Sequence, residues 1–123
     1  MSKYKNKKVF LPDGTVFDSE KEYARWCELR LLEKAGVIKN LQRQVPFEVI
    51  PPYNEVIERF GKKGQRLKDG MRSIEKACYY KADFTYYENG KLVVEDAKGF
   101  RTEGYIMKRK LMLQKFGIKI KET

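Results

Sequence analysis

The segment that most constrains the fold is a run of alternating apolar residues that ends in a tight turn. From Cys78 to Tyr86 every second side chain is apolar, as a strand with one buried face requires. Asn89-Gly90 follows, and this dipeptide is the strongest short-range indicator of a β-hairpin. Lys91 to Lys98 is therefore predicted to return as a second strand, antiparallel to the first.

Two predicted helices flank this hairpin in the sequence. The first begins after Asp18 or Ser19, either of which can cap it, and ends at Gly36. Its predicted buried face consists of residues at helical spacing, namely Tyr23, Ala24, Cys27, Leu31 and Ala35, flanked by Trp26. The second helix is the segment TEGYIMKRKLMLQKFG, which ends at Gly117.

The remaining strands complete one layered domain. Asp13-Gly14 predicts the turn of a short hairpin, and Arg43 to Ile50 is typical of a strand. A final short strand is predicted at IKIK, after Gly117. The resulting order, α-β-β-β-α-β, is typical of a single mixed α/β or α+β layer domain.

Two basic segments lie outside this predicted core. We interpret residues 1–12, which open with MSKYKNKK, as a mobile basic N-terminal arm that precedes a domain at 13–123. Residues 52–76 contain GKKGQRLKDGMR and show no clear periodicity. We therefore expect them to form a long loop or a partly ordered basic insert.

The charge of the chain predicts a polyanionic partner. It has 27 Lys and Arg against 17 Asp and Glu, a net charge of +10, and no His. Because the cations recur along the chain, we favour nucleic acid over a role in solubility alone. Without His or a Cys cluster, a bound metal is expected to be a hard cation such as Mg²⁺ or Mn²⁺, held by carboxylates. The chain shows no signal peptide and no bilayer-spanning apolar run, so we expect no membrane contact and a cytoplasmic location.

The predicted hairpin brings acidic residues together. Asp83 and Asp96 can face each other across the two strands, and Lys98 shares a face with Asp96 because the strand period is two. Two converging carboxylates repel unless a cation lies between them, which favours a metal site for phosphodiester hydrolysis. A surface hairpin with ordinary salt bridges is the alternative. Glu95 points to the other face, where we expect a Lys or Arg of a helix or of a partner subunit.

These motifs together resemble those of a known nuclease superfamily. YKADFTYYENGKLVVEDAKG is similar to the metal-binding hairpin of PD-(D/E)XK nucleases, with Asp83 as the first acid and Asp96-Ala97-Lys98 as the (D/E)XK element. More narrowly, FDSxxE, QVPFEV, ADFxY and VVEDAKG in this order are similar to a small phage-type family of Holliday-junction-resolvase-like endonucleases. The resemblance covers nearly all of the chain from Asp13 onward.

The resemblance implies a fold and an activity. The implied fold is a single restriction-endonuclease-like domain, with a central mixed sheet flanked by helices. The implied activity is Mg²⁺-dependent cleavage of branched DNA, with Mn²⁺ able to substitute, in a bacterial or phage-infected cell. The implied assembly is a homodimer, which also follows from the two-fold symmetry of a four-way junction that must be cut on two strands.

The resemblance also assigns roles to individual residues. It implies Lys98 as the catalytic lysine. The implied metal ligands are Asp83, Asp96, the Ala97 carbonyl and Glu22. Glu22 matches the helix acid of the superfamily, although Ser19 and Glu22 also make a capping box, Ser-x-x-Glu, that needs no active site. Glu20 is the rival helix acid.

Further residues are candidates for contact with DNA. Gln44 matches a polar position at the start of the first strand and could touch substrate or metal-bound water. The second helix region carries cations that could track a phosphate backbone, namely Arg101, Lys108, Arg109 and Lys110. For any one of these cations a solvated helix face is the simpler interpretation. Two alternative functions stay open: a nuclease of the same core that nicks or processes other DNA, and an inactive DNA-binding module.

Overall fold

A mixed four-stranded sheet with two helices organises the chain. The computed structural model describes residues 7–97 and 101–123. Within those residues the elements are, in order, β1 (Val9–Phe10), β2 (Val16–Phe17), α1 (Glu20–Lys34), β3 (Ile38–Ile50), β4 (Tyr53–Phe60), β5 (Arg66–Glu75), β6 (Cys78–Glu88), β7 (Lys91–Asp96), α2 (Glu103–Phe116) and β8 (Lys121–Glu122). The central sheet has the order β3-β6-β7-β8, antiparallel except for the β7–β8 pair. The expectation of an α/β fold with a mixed sheet and two helices is confirmed.

The two helices cover opposite faces of this sheet. The cluster that contains Met112 of α2 includes Val94 of β7, and we name it the α2 cluster. The cluster that contains Leu29 of α1 includes Phe84 of β6, and we name it the α1 cluster. Glu95, the neighbour of Val94, hydrogen-bonds a side chain of α1. Because successive strand residues point to opposite faces, α1 and α2 lie on opposite sides. The prediction of a hairpin strand with one buried face was therefore too simple.

α1 begins at the predicted cap Ser19, and α2 ends at the predicted Gly117. Ser19 Oγ accepts a hydrogen bond from the backbone N of Glu22 at 3.1 Å. Thr102 Oγ1 accepts one from the backbone N of Tyr105 at 3.1 Å. Gly117 ends α2 with a φ of 67°, a conformation that side-chain-bearing residues rarely adopt. Both helices therefore begin at a side-chain cap, whereas the C-cap of α1 is Ala35 and that of α2 is Gly117.

The buried face of α1 differs from the predicted one. Glu22 and Leu29 are buried, whereas Leu31 is 68% exposed and Cys27 is also exposed. The helix packs against β2 and β3. Its buried residues, Glu22 and Leu29, are seven positions apart and therefore lie on the same side of the helix. The predicted face was wrong because apolar residues occur on more than one side of α1, and the position of the sheet decides which side is covered.

Residues 53–75 form a β-hairpin and not the predicted loop. β4 and β5 pair antiparallel in a two-stranded sheet of their own, which we name the β4–β5 arm. Most of their side chains are exposed. Because neither face of the arm is covered, its sequence lacks the alternation of apolar and polar residues that identifies a half-buried strand. The arm is inserted between β3 and β6 of the central sheet.

The remaining elements adjust the predicted boundaries. β1 pairs with β2 around Asp13-Gly14, which confirms the short hairpin and places Val9–Phe10 of the predicted N-terminal arm in a strand. Residues 1–6 of that arm lie outside the described residues. β3 begins at Ile38, earlier than predicted, and the last strand is Lys121–Glu122 instead of IKIK. The two isoleucines of IKIK pack against the α2 cluster instead. Neither helix in the described part of the chain has the length and apolarity needed to cross a membrane.

Candidate functional site

Asp83 and Asp96 lie on neighbouring strands of the central sheet. In the β6–β7 pair Phe84 is opposite Glu95, and continuing this register by one residue places Asp83 opposite Asp96. Both acids are buried, Asp96 to the extent that 1% of its surface is exposed. Asp83 Oδ2 accepts a hydrogen bond from the backbone N of Ala97 at 2.9 Å. The structure thus brings the two acids of the predicted hairpin to the same place.

A third acid approaches this place from α1. Glu22 is buried, and its Oε1 accepts a hydrogen bond from Gln44 Nε2 at 3.0 Å. Arg43 Nη2 is 3.5 Å from the same oxygen. Burial and the negative charge of Asp83 raise the pKa of Glu22 above its ordinary value. Gln44, which donates to Glu22, lies between two β3 residues that pair with Phe84 and Ala82, so the helix acid approaches the strand segment that carries Asp83.

The contacts of Glu22 bear on the capping-box interpretation. Its backbone N donates to Ser19 Oγ, which is one half of the box. Its carboxylate, however, accepts from the backbone N of Asp18 at 3.2 Å and from Gln44 on β3. Glu20, the rival helix acid, is exposed. Glu22 is therefore the acid of the first helical turn that faces the sheet.

Gln44 marks an irregularity of the sheet beside the acids. Its φ is 53°, in the left-handed region, and the pairs on both sides of it place it opposite Asp83. Ala82 belongs to the α2 cluster whereas Phe84 belongs to the α1 cluster. The simple alternation of β6 is therefore interrupted at Asp83. A non-glycine residue with positive φ is uncommon, and such residues concentrate at functional sites.

A buried tyrosine contacts Asp96, and a second tyrosine packs against the first. The Tyr80 hydroxyl donates to Asp96 Oδ2 at 2.7 Å, and the Tyr80 ring lies 6.3 Å from the Tyr105 ring between centroids. The pKa of Tyr80 is raised above its ordinary value, chiefly by burial and secondly by the negative charge of Asp96. The Tyr80 hydroxyl therefore stays protonated and donates at neutral pH, which fixes the orientation of the Asp96 carboxylate.

The other predicted members of the metal site are less well defined. Lys98 lies outside the described residues, so its place in the site stays a prediction. Ala97 is described, and its backbone N is engaged by Asp83. Among residues 7–97 and 101–123, no three Asp, Glu or Cys side chains stand close enough to hold a metal ion.

The predicted DNA-binding cations near α2 fall into two environments. Arg101 Nε lies 2.9 Å and Arg109 Nη1 lies 3.5 Å from Glu122 Oε2, so both guanidinium groups already have an anionic partner. Lys108 is half-buried and lines a cleft of about 240 Å³ at the start of α2. The other described residues that line this cleft are Tyr80, Lys81, Thr102, Gly104 and Tyr105. Through Tyr80, the cleft adjoins Asp96.

Nearly the whole chain matches one family model. That model, described as a protein of unknown function (DUF1064), matches residues 1–122. The chain belongs to the DUF1064 family. No curated protein and no solved structure matches it. The family description assigns no activity to this DUF1064 member, so its function has to follow from the chemistry of the site.

Sequence reasoning missed Arg43 and Tyr80 in this DUF1064 site. The Arg43 guanidinium lies 3.8 Å from the centroid of the Phe17 ring, and its Nη2 donates to the backbone O of Val16 at 3.1 Å. These contacts hold it beside Glu22. Its position next to Gln44 in the strand was the available signal. Tyr80 gave no such signal, because it reaches Asp96 through the length of its side chain and not through strand register.

Proposed function

We propose that this DUF1064 protein is a metal-dependent DNA endonuclease of the PD-(D/E)XK type that hydrolyses phosphodiester bonds. The observation that carries the proposal is the convergence of Asp83 and Asp96 on adjoining strands, with Glu22 of α1 bonded to Gln44 on the strand next to Asp83. Buried acids that crowd one another destabilise a fold unless they serve a cation or a proton. The net charge of +10 of the whole chain suits a phosphate backbone.

The donor atoms of this site fit Mg²⁺ or Mn²⁺. Asp83, Asp96 and the Ala97 carbonyl would hold the ion, with Glu22 as a further acid beside it. Mg²⁺ commonly uses one or two carboxylates and keeps several waters, so a three-carboxylate cage is not required. When bound, such an ion lowers the pKa of a coordinated water and neutralises charge on the phosphoryl oxygens. Tyr80 orients Asp96 and the Ala97 backbone N orients Asp83.

The element order supports the finer fold assignment. α1, β3, β6, β7, α2 and β8 follow one another in the order α-β-β-β-α-β, with the β4–β5 arm as an insertion. We propose that these six elements form a restriction-endonuclease-like core. In such a core the acid of the first helix lies beside the acids of the central hairpin, and the bond of Glu22 to Gln44 on β3 supports this arrangement here.

DNA would approach the acids along the cleft at the start of α2. Lys81 and Lys108 line this cleft and supply positive charge close to Asp96. Arg101 and Arg109 would exchange their contacts with Glu122 for phosphates. Gln44 already donates to Glu22, so its contribution is to position that acid. Phosphate contacts of this kind orient a duplex without reading its sequence.

Glu22→Gln separates a catalytic role from a capping role. Glutamine can still accept from the backbone N of Asp18, so the thermal stability should change little. If the carboxylate charge serves the metal site, we expect the cleavage rate to fall by a factor of about 10²–10³, typical for one electrostatic catalytic group. Glu20→Gln, at an exposed position of the same helical turn, is the matched control. Cleavage by Glu22→Gln at the wild-type rate would exclude Glu22 from the site.

Lys98→Ala tests the lysine of the proposed (D/E)XK element. If Lys98 orients the attacking water or stabilises the developing charge, its removal should lower the cleavage rate by about 10²–10³-fold. DNA binding, measured by fluorescence anisotropy with Ca²⁺ in place of Mg²⁺, should change little. The opposite result, weaker binding with an unchanged rate at saturating DNA, would make Lys98 a phosphate contact.

The substrate is proposed to be branched DNA, cut by a homodimer. One domain with one acid cluster has one active site, and two strands of a four-way junction must be cut for resolution. A C2 dimer matches the near two-fold symmetry of that substrate. We expect a dimer by light scattering and symmetric nicks on opposing strands of a labelled junction.

A panel of four-way, flap, duplex and single-stranded DNA tests this substrate preference. A monomer that cuts duplex or flap DNA as readily as junctions would refute the resolvase activity and favour the alternative, a nuclease of the same fold with other DNA substrates. Binding of every substrate without cleavage of any would favour the inactive DNA-binding module. That module is compatible with the lack of a three-ligand group among residues 7–97 and 101–123.

A further inference from the structure

The β4–β5 arm is the largest feature of the described structure that the proposed active site does not use. β4 and β5 pair with each other, and neither packs extensively against another described element. The eight residues of β4 extend about 26 Å at roughly 3.3 Å per residue. An exposed hairpin of this length has few contacts of its own to keep it in the fold, which indicates a role in binding a partner.

The end of the arm is strongly basic. Residues 59–68, RFGKKGQRLK, contain no acid, and their cations are Arg59, Lys62, Lys63, Arg66 and Lys68. Arg66 contacts Asp69 at 2.8 Å, so its charge is partly compensated. Lys62 and Lys63 are exposed in the turn, and no carboxylate in the described part of the chain forms an ion pair with either. The turn therefore presents two uncompensated positive charges.

One face of the arm carries exposed apolar side chains, with the exposed Glu58 between two of them. Val56 is paired with Met71 across the strands, and Phe60 lies on the same face because strand side chains alternate. Their exposed fractions are 67%, 64% and 60%. On the other face Arg59 crosses Gly70, where an added Cβ would lie 2.7 Å from Arg59 Cδ. The aliphatic stem of Arg59 therefore occupies the space that a side chain at position 70 would need.

We infer that the β4–β5 arm binds duplex DNA, with the ribbon in the major groove and Lys62 and Lys63 on the phosphates. The major groove is about 12 Å wide and admits a two-stranded β-ribbon. Apolar side chains on such a ribbon can contact thymine methyl groups. A second copy of the chain fits the arm less well, because two basic turns brought together would repel whereas a polyanion neutralises them.

The root of the arm is close enough to the acids to act on the same DNA. Ile50, just before the arm, pairs with Cys78 at the start of β6. Cys78 and Asp83 are on one strand and roughly 17 Å apart. This distance corresponds to about five base pairs at roughly 3.4 Å per step. The arm would therefore hold the duplex that flanks the phosphate to be cut.

Charge reversal in the turn tests this inference without any need for cleavage. Lys62→Glu/Lys63→Glu is compared with Lys39→Glu/Lys91→Glu, whose lysines are exposed at the opposite end of the central sheet. Both variants change the net charge equally. The readout is the Kd for a fluorescein-labelled duplex, measured by anisotropy over a range of salt concentrations with Ca²⁺ in place of Mg²⁺. Thermal unfolding of each variant verifies that it is folded.

We expect the turn variant to have a Kd at least about tenfold higher than that of the wild type at near-physiological salt. The slope of its log Kd against log salt concentration should be smaller by about one unit for each lysine replaced. The control should change both quantities much less. Equal effects of the two variants would overturn the inference, since only net charge would then matter. An unchanged Kd in the turn variant would overturn it as well.

The exposed apolar side chains of the β4–β5 arm allow a second test. Val56→Ser/Met71→Ser should weaken duplex binding and leave the molar mass from light scattering unchanged. A loss of dimer in this variant with unaltered duplex binding would show that the arm joins two copies of the chain, and would overturn the inference. Both readouts are independent of catalysis, so failure of the nuclease activity and failure of the DNA-binding arm are distinguishable.

Discussion

We expect Asp96→Asn and Asp83→Asn each to lower the rate of DNA cleavage by at least about 10³-fold, with DNA binding retained or tighter. Asparagine keeps an oxygen that can accept from the Tyr80 hydroxyl or from the backbone N of Ala97, so the local fold should persist. The lost charge removes a metal ligand and also eases the approach of a phosphate. Cleavage of a labelled junction and anisotropy in Ca²⁺ measure the two effects separately.

Asp13→Asn is the matched control for these two variants. Asp13 is an exposed aspartate in the β1–β2 turn, where its carboxylate accepts from the backbone N of Thr15 at 2.9 Å. Asparagine serves the same turn geometry, so cleavage should be unaffected. If Asp83→Asn and Asp96→Asn cut DNA as fast as Asp13→Asn does, the hairpin acids are not catalytic and the proposed site is wrong.

The second large effect concerns the stability of the fold. We expect Arg25→Met to reduce the free energy of unfolding by about 3–5 kcal/mol, because it leaves a buried carboxylate without its cation. Glu95 is 0% exposed, and Arg25 Nε and Nη2 lie 2.6 Å and 3.0 Å from its two oxygens. Tyr86 also donates to Glu95 at 2.7 Å. Urea unfolding at neutral pH measures the loss.

The protonation of Glu95 gives this second prediction a pH dependence. Burial by itself would raise the pKa of Glu95, but the hydrogen bonds from Arg25 and Tyr86, together with the Arg25 charge, lower it below its ordinary value. A lowered pKa in the folded state stabilises the fold above the ordinary carboxyl pKa, and this contribution is lost as the pH falls through the folded-state value. The difference in stability between wild type and Arg25→Met should therefore shrink in acid.

Two further variants make the result specific to the ion pair. Arg30→Met, an exposed arginine on the same helix, should cost less than about 1 kcal/mol. Arg25→Met/Glu95→Gln should be more stable than Arg25→Met alone, since it removes the unpaired charge and keeps an acceptor for Tyr86. If Arg25→Met costs no more than Arg30→Met, the buried pair does not hold α1 to the sheet.

Local signals in the sequence predicted the parts of the fold that local chemistry controls. Asn89-Gly90 predicted the β6–β7 turn, and Ser19 and Gly117 predicted helix ends, because turns and caps depend on a few neighbouring residues. The alternation of side chains along β7 predicted that Glu95 would point away from Asp96, to a basic residue of a helix or of a partner subunit. Its contact with Arg25 confirms this.

Other features depend on contacts that the sequence does not encode locally. The sheet, and not the helical spacing, decides that Leu29 is buried while Leu31 is exposed. The β4–β5 arm was interpreted as a loop because both of its faces are open, so no alternation marks its strands. Ala82 and Phe84 belong to clusters on opposite faces of the sheet, so the alternation of β6 is interrupted at Asp83. Gln44 on the neighbouring strand has a left-handed backbone there, and strand periodicity cannot predict either feature.

The candidate site could be predicted only in part for the same reason. Asp83 and Asp96 were placed together by hairpin register, which is a local property. The approach of Glu22 to Asp83 requires the packing of α1 on the sheet, and was expected from the resemblance alone. Tyr80 contacts Asp96 through its full side-chain length, which no sequence spacing indicates.

The central claim is that Asp83 and Asp96 bind a divalent cation for phosphodiester cleavage. The measurement that tests it most directly is the initial rate of cleavage of a labelled four-way junction as a function of Mg²⁺ concentration, for the wild type and for Asp83→Asn/Asp96→Asn purified in parallel. We predict a rate that rises to saturation with Mg²⁺, falls to background in EDTA, and stays at background at every Mg²⁺ concentration in the double variant. Cleavage that persists in EDTA, or a double variant that cuts at the wild-type rate, would contradict the account.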